Sequence, residues 1–199
     1  MTSPLRDLPV EFVGSFPDPR TPLTPILPEI ALLGRSNVGK SSLLNAVAGR
    51  QGLARVSHTP GRTTAMNIFQ YPDFYVVDLP GYGYAKASHT DREAFARLLE
   101  GYLRRRTTLG GVVWLLDIRR EPSDQDLAQR EVLASREVPV LVALTKADKL
   151  GRAAQREQLA AIAGRLEMPA PLFHLTSSRT GQGIAELGES ILSAVREAA

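Results

Sequence analysis

The residues able to do chemistry fall in four short segments, in a fixed order: Gly34-Arg-Ser-Asn-Val-Gly-Lys-Ser41, Thr59-Pro-Gly-Arg-Thr-Thr64, Asp78-Leu-Pro-Gly81 and Thr145-Lys-Ala-Asp148. In the first, glycines allow backbone N–H groups to close around a phosphate. Lys40 can bridge the β- and γ-phosphates, and the Ser41 hydroxyl can ligate Mg²⁺. The segment follows the apolar run Ile30 to Leu33 and precedes the helical stretch Ser42 to Ala48. The anion would therefore meet a helix N-terminus, whose dipole favours it. A glycine turn can join a strand to a helix without any ligand. Against that bland reading, only four of the 24 basic residues are lysine (Lys40, Lys86, Lys146, Lys149), and two of them stand inside these segments. The expected nucleotide contacts here are Gly34, Arg35, Ser36, Asn37, Val38, Gly39, Lys40, Ser41 and Ser42.

Asp78, with Leu79, Pro80 and Gly81, ends a second apolar strand. A carboxylate there sits at the carboxyl edge of a sheet, where ligands of α/β folds bind. It suits a water-mediated Mg²⁺ contact, with the Gly81 N–H reading the γ-phosphate. Alone, Asp-x-x-Gly is as often a turn; its place after the phosphate loop gives it meaning. Thr145, Lys146, Ala147 and Asp148 end a further strand. The Asp148 carboxylate offers two acceptors to the guanine N1–H and 2-amino donors, and the Lys146 stem can lie over the base. Adenine has neither donor, so this segment separates a guanine from an adenine site. Thr176, Ser177 and Ser178, after the last strand, can supply N–H groups to guanine O6.

These positions require a frame of strands and helices. The chain reads as strands 10–15, 29–33, 65–71, 74–78, 111–117, 138–144 and 171–176, with helices 39–48, 90–105, 123–136, 152–166 and 182–196. Such alternation implies a three-layer α/β fold, a mostly parallel sheet covered by helices on both faces. Only Pro72 and Asp73 join strands 65–71 and 74–78, too few for a crossover, so that pair must be antiparallel. Thr90-x-x-Glu93 has the capping-box pattern, and Phe95, Leu98, Leu99, Tyr102 and Leu103 share one helix face. Five prolines between residues 17 and 28 deny helical hydrogen bonds and predict an extended connector. Residues 1–28 are expected as an extension packed on a nucleotide-binding domain of residues 29–199.

With 199 residues, 43% of them hydrophobic and 23% charged, the chain has enough apolar mass for one folded domain. It contains no cysteine, which excludes disulfides, thiolate catalysis and cysteine-ligated metals. No apolar run approaches the roughly 20 residues that span a bilayer, and residues 1–14 have no signal-peptide core; a cytoplasmic protein without membrane contact is expected. A net charge of +3 permits an RNA partner without requiring one. His58, His89 and His174 show no ligand spacing.

The motifs and their connecting sequence resemble the EngB (YihA/YsxC) family of bacterial ribosome-assembly GTPases. The resemblance runs from about Glu29 to the C-terminus. It is carried by Pro28-Glu29-Ile30 leading into Gly34 to Ser42, by Thr59-Pro-Gly-Arg-Thr63, and above all by Asp78-Leu-Pro-Gly-Tyr-Gly-Tyr-Ala85. It implies a P-loop GTPase that binds GTP and GDP and serves as a switch in maturation of the large ribosomal subunit, monomeric when free. By the same resemblance Ser41 and Thr63 ligate Mg²⁺, while Gly61, Arg62, Thr63, Thr64 and Ala65 form the segment that closes over the γ-phosphate. Tyr82 stands where Ras-type proteins carry a water-orienting glutamine, so slow intrinsic hydrolysis is expected. Asn37 matches a position that some relatives use to hold K⁺; its other reading is a loop cap. Arg104-Arg105-Arg106 and Arg119-Arg120 are the candidate RNA contacts, and Arg20, Arg62 and Lys86 flank the switch segments. Two alternatives stand beside this reading. One is a GTP-gated regulator of cell division, septation or signalling that never meets the ribosome; the other is a P-loop ATPase or kinase, which Lys146 and Asp148 oppose.

Overall fold

Alternate residues of the central strands fill two different cores, and that requirement makes the sheet a middle layer. In β2 (Glu29–Gly34) every residue is buried; Ala31 and Leu33 enter one core, Ile30 and Leu32 the other. The same division holds in β4 (Tyr75–Asp78) and β5 (Leu109–Asp117). There Val77, Val112 and Trp114 face the first core, and Val76, Val113 and Leu115 the second. Strands covered on both faces read as continuous apolar runs for this reason. The structure, a computed structural model, describes residues 2–54, 65–83, 89–136 and 138–199, without the side chains of residues 89–92.

With β1 (Glu11–Phe16), β3 (Met66–Gln70), β6 (Val140–Thr145) and β7 (Phe173–Leu175), the described strands form one seven-stranded sheet, in the order β1-β3-β4-β2-β5-β6-β7. The pairs from β4 through β2, β5 and β6 to β7 are parallel. β3 runs antiparallel to β4, as the two-residue connection demands. β1 then adds a second antiparallel pairing on the other side of β3, with a register shift between Phe12 and Gly14. Helices α1 (Lys40–Val47) and α5 (Ile184–Ala198) close the second core through Leu43, Leu44, Val47, Ile184, Leu187 and Ile191. Helices α2 (His89–Arg105), α3 (Asp124–Ala134) and α4 (Arg152–Leu166) close the first through Leu98, Leu99, Tyr102, Leu103, Leu133, Ile162 and Leu166.

Element ends shift by one to a few residues from the sequence reading, most visibly at the last strand. The last strand is short because Pro171 has no N–H to give a sheet; residues Ala170–Leu172 instead form a 3₁₀ turn closed by Leu172 N–H on Pro169 O at 3.1 Å. A capping box is present at α3, where the Ser123 hydroxyl accepts from Asp126 N–H and the Asp126 carboxylate accepts from Ser123 N–H. The one expected at Thr90 falls on a side chain outside the described residues.

The N-terminal residues are built into the domain. Leu5 and Val10 are buried in the second core, and Ser3 and Pro4 lie so close to Gly188 of α5 that a Cβ there would meet Ser3 Oγ at 2.7 Å. Pro25 O accepts from the Tyr75 hydroxyl at 3.0 Å and Thr21 O from Arg106 Nη2 at 2.7 Å, which ties the proline connector to β4 and to the end of α2. Among the described residues no helix is long and apolar enough to cross a membrane.

Arg106 is therefore not the surface charge that its Arg-Arg-Arg run suggests. Its side chain is 10% exposed and lies 3.5 Å from Glu29 Oε1, whose carboxylate also accepts from the hydroxyls of Tyr102 (2.9 Å) and Thr108 (2.5 Å). Removing one partner leaves the other charge buried. Arg106→Ala is expected to cost about 3 kcal/mol of stability, and Arg105→Ala, at an exposed site, under about 0.5 kcal/mol. Denaturant unfolding of the two variants checks this, and equal effects would contradict it.

Candidate functional site

Three of the four motifs converge on the carboxyl edge of the parallel strands. Gly34 ends β2, Asp78 ends β4, and Thr145 ends β6. The Gly34 backbone passes so close to its neighbours that a Cβ would meet Leu115 O and Val38 Cγ1 at 2.9 Å, so only glycine fits. Gly39, at φ 111°, precedes the first turn of α1, where Lys40, Ser41 and Ser42 follow. Asn37 sits at φ 64°, a left-handed conformation that asparagine tolerates better than most residues.

The phosphate loop is braced from both sides. On one side Arg35 and Tyr82 form a parallel bridge, with Ser36 N–H on Tyr82 O at 2.8 Å and Ser36 Oγ on Gly81 O at 3.3 Å. A Cβ on Gly81 would meet Ser36 Cα at 2.9 Å, so the two loops touch backbone to backbone. On the other side the buried Thr145 hydroxyl donates to Val38 O at 2.8 Å, and Lys146 Nζ donates to Asn37 O at 3.0 Å. Lys146, at φ 63°, also reaches Asp117 Oδ2 at 2.9 Å. Burial opposes ionisation of Asp117, but hydrogen bonds from Arg119 and Lys146 outweigh it and hold the carboxyl well below the usual range.

Asp148 is oriented by Ser177, whose hydroxyl donates to Oδ1 at 2.7 Å and lowers its pKa. The other oxygen, Oδ2, is buried without a hydrogen-bond partner; Arg179 Nη1 and Lys149 Nζ stand at 3.7 and 3.8 Å. Ala147 N–H bonds to Thr176 O at 3.0 Å, which brings the 145–148 and 176–178 segments together as expected. Ser177 serves through its side chain, and the exposed Ser178 stands beside it. Asp78 Oδ1 is a second buried oxygen without a hydrogen bond, 3.9 Å from Lys40 Nζ. Burial raises its pKa, while Lys40 and a hydrogen bond from Asn67 oppose the rise. Both orphaned carboxylate oxygens thus lie in the motifs that a nucleotide and its cation would contact.

Gly61, Arg62, Thr63 and Thr64, along with His58 and Lys86, lie outside the described residues; Ala65 is half-buried just before β3. No group of three or more His, Cys, Asp or Glu side chains placed to hold a metal ion occurs among the described residues. Sequence reading overlooked Asp117 as the partner of Lys146, although its place at the end of an apolar strand was a signal. It also gave Tyr82 no structural partner.

A strand, a glycine-rich loop and a helix, with carboxylates at neighbouring strand ends, define the P-loop nucleotide-binding class. The family model described as 50S ribosome-binding GTPase matches residues 29–146. The probable GTP-binding protein EngB of Syntrophomonas wolfei subsp. wolfei is 46% identical over 163 residues, which cover 81% of this chain and 83% of that one. The protein of the same name from Desulfatibacillum aliphaticivorans is 44% identical over 183 residues, covering 92% and 89%. The chain belongs to the EngB family of GTP-binding proteins, P-loop GTPases. Among solved structures, a probable GTP-binding protein EngB matches with a TM-score of 0.72 at 23% identity, over 85% of this chain and 99% of that one. Era, in complex with MgGDPNP and a 16S ribosomal RNA fragment, matches at 0.65 and 22%, over 85% and 57%. These structural matches speak to the fold.

Proposed function

We propose that the chain is a GTP-dependent switch acting on the assembling large ribosomal subunit in the cytoplasm. The observation that carries this reading is the match of residues 29–146 to the 50S ribosome-binding GTPase family. Residues 29–199 form the GTP-binding domain, with residues 1–28 as its extension. Residues 34–42 hold the phosphates, with Lys40 on the β- and γ-phosphates. Asp148 reads guanine, Lys146 covers it, and residues 176–178 complete the base pocket. The orphaned Asp78 Oδ1 beside Lys40 and the first turn of α1 suits a Mg²⁺ held by Ser41, by Asp78 through water, and by Thr63 of the 61–65 switch segment. When bound, Mg²⁺ neutralises phosphate charge during transfer.

Intrinsic hydrolysis is slow because Tyr82 stands at the water-orienting position, and its hydroxyl is already committed to Asp126. The arginine surface is narrower than the sequence suggests. Arg106 is tied to Glu29 and Arg119 to Asp117; the exposed Arg104, which pairs at 3.8 Å with the likewise solvated Glu100, and the exposed Arg105 and Arg120 remain to meet RNA.

Sedimentation with mature and immature large-subunit particles, in GDP or a non-hydrolysable GTP analogue, tests the proposal. Binding favoured by the analogue is expected, and it should weaken as salt rises. No binding in either state, with nucleotide affinity intact, would replace this reading by a GTP-gated regulator that does not contact the ribosome.

A further inference from the structure

The side chain that follows Gly81 points into the core. Tyr82 is 6% exposed. Its hydroxyl donates to Asp126 Oδ1 at 2.8 Å and accepts from the Trp114 indole N–H at 2.8 Å. Burial, with the Asp126 carboxylate close by, keeps the phenol protonated and so a donor. Asp126, 2% exposed, uses its other oxygen for the Ser123 N–H at 2.8 Å and hydroxyl at 2.7 Å. Arg35 reaches the same corner, donating to Ser123 Oγ at 2.9 Å with Asp126 Oδ2 at 3.7 Å.

Arg35 and Tyr82 are the two residues joined by the backbone bridge between the phosphate loop and the Asp78–Gly81 turn. The loops are thus joined twice, through their backbones and through side chains that converge on the N-terminus of α3. No buried polar atom of Tyr82, Trp114 or Asp126 lacks a partner, and fully satisfied networks of this kind fix one geometry. Simple core packing would need only the ring; the hydroxyl with its donor and acceptor is what the bland reading leaves over.

We propose that Tyr82 is a positioning residue for γ-phosphate recognition: its hydroxyl latches the end of the Asp78–Gly81 turn to α3 and so fixes the direction of the Gly81 N–H. GDP has no γ-phosphate, so the latch acts on GTP alone. This inference rests on the GTP-switch reading above.

Tyr82→Phe keeps the ring and removes the latch. Affinity for a non-hydrolysable GTP analogue is expected to fall roughly fivefold, a fraction of what the loss of two buried hydrogen bonds costs the fold itself, with GDP affinity held within about twofold. Equal losses for both nucleotides, or none for either, would overturn the latch. Hydrogen exchange on the unaltered chain gives a second test that needs no variant. The Tyr82 N–H, bonded to Gly34 O at 3.3 Å, should be protected equally with GDP and with the analogue. Free exchange in the analogue form would also overturn the proposal. A wild-type chain that bound neither nucleotide would sink the switch reading itself, a failure distinct from that of the latch.

Discussion

Asp148→Asn should weaken binding of GDP and GTP by about 10³-fold or more while improving binding of the corresponding xanthine nucleotides. The expectation follows from what each group can offer. A carboxylate only accepts hydrogen bonds, and guanine presents two donors, N1–H and the 2-amino group. Ser177 fixes Asp148 through Oδ1 and leaves Oδ2 buried without a hydrogen-bond partner. An amide at this position sets an N–H₂ against a guanine donor, so both groups are left unpaired in a buried site. Xanthine carries a carbonyl in place of the 2-amino group, which accepts from that amide. Asparagine matches aspartate in size, so the melting temperature of the nucleotide-free chain should move little. Calorimetric titration with guanine and xanthine nucleotides checks the result. A GDP affinity within tenfold of wild type would show that Asp148 does not read the base.

The parts of this site that were legible in the sequence are those fixed by local geometry. Gly34, Gly39 and Lys40 announce themselves because a phosphate loop needs those types at that spacing, and the 72–73 connection forces an antiparallel pair because two residues cannot cross a sheet. Partners brought together by folding left no such mark. Lys146 and Asp117 are 29 residues apart, and Tyr82 and Asp126 are 44 apart; neither pair has a spacing rule. The arginine run 104–106 reads as uniform surface charge, yet the side chain of its third member is mostly covered because α2 ends beside Glu29. Likewise β1 pairs with β3 through a register shift between Phe12 and Gly14, so its alternation gives no clean period-two signal. Local chemistry thus located the loops, and long-range contacts decide how they are held.

Lys40→Ala is expected to weaken GTP binding by about 10² to 10⁴-fold, the value of two charge-assisted contacts to phosphate at about 1.5–3 kcal/mol each, and GDP binding, which has only the β-phosphate contact to lose, by about 10 to 10²-fold. The same substitution should also act on the nucleotide-free chain. Lys40 Nζ lies 3.9 Å from Asp78 Oδ1, with the two side chains 11% and 9% exposed. Burial already raises the Asp78 pKa, and Lys40 is one of the groups that limit the rise. A carboxyl whose folded pKa exceeds its unfolded value binds more protons in the folded state, so its stabilising contribution is present at low pH and lost as pH rises through the folded pKa. Without Lys40 that pKa climbs further and the loss at neutral pH grows. Lys40→Ala should therefore melt below wild type near neutrality, and the gap should close on acidification, once Asp78 is protonated in both. Thermal melts of the two nucleotide-free chains across that range separate this from a general packing defect, which would persist at every pH. A constant gap would mean that Lys40 does not support the Asp78 carboxylate, and would leave only its phosphate contacts to explain the lysine.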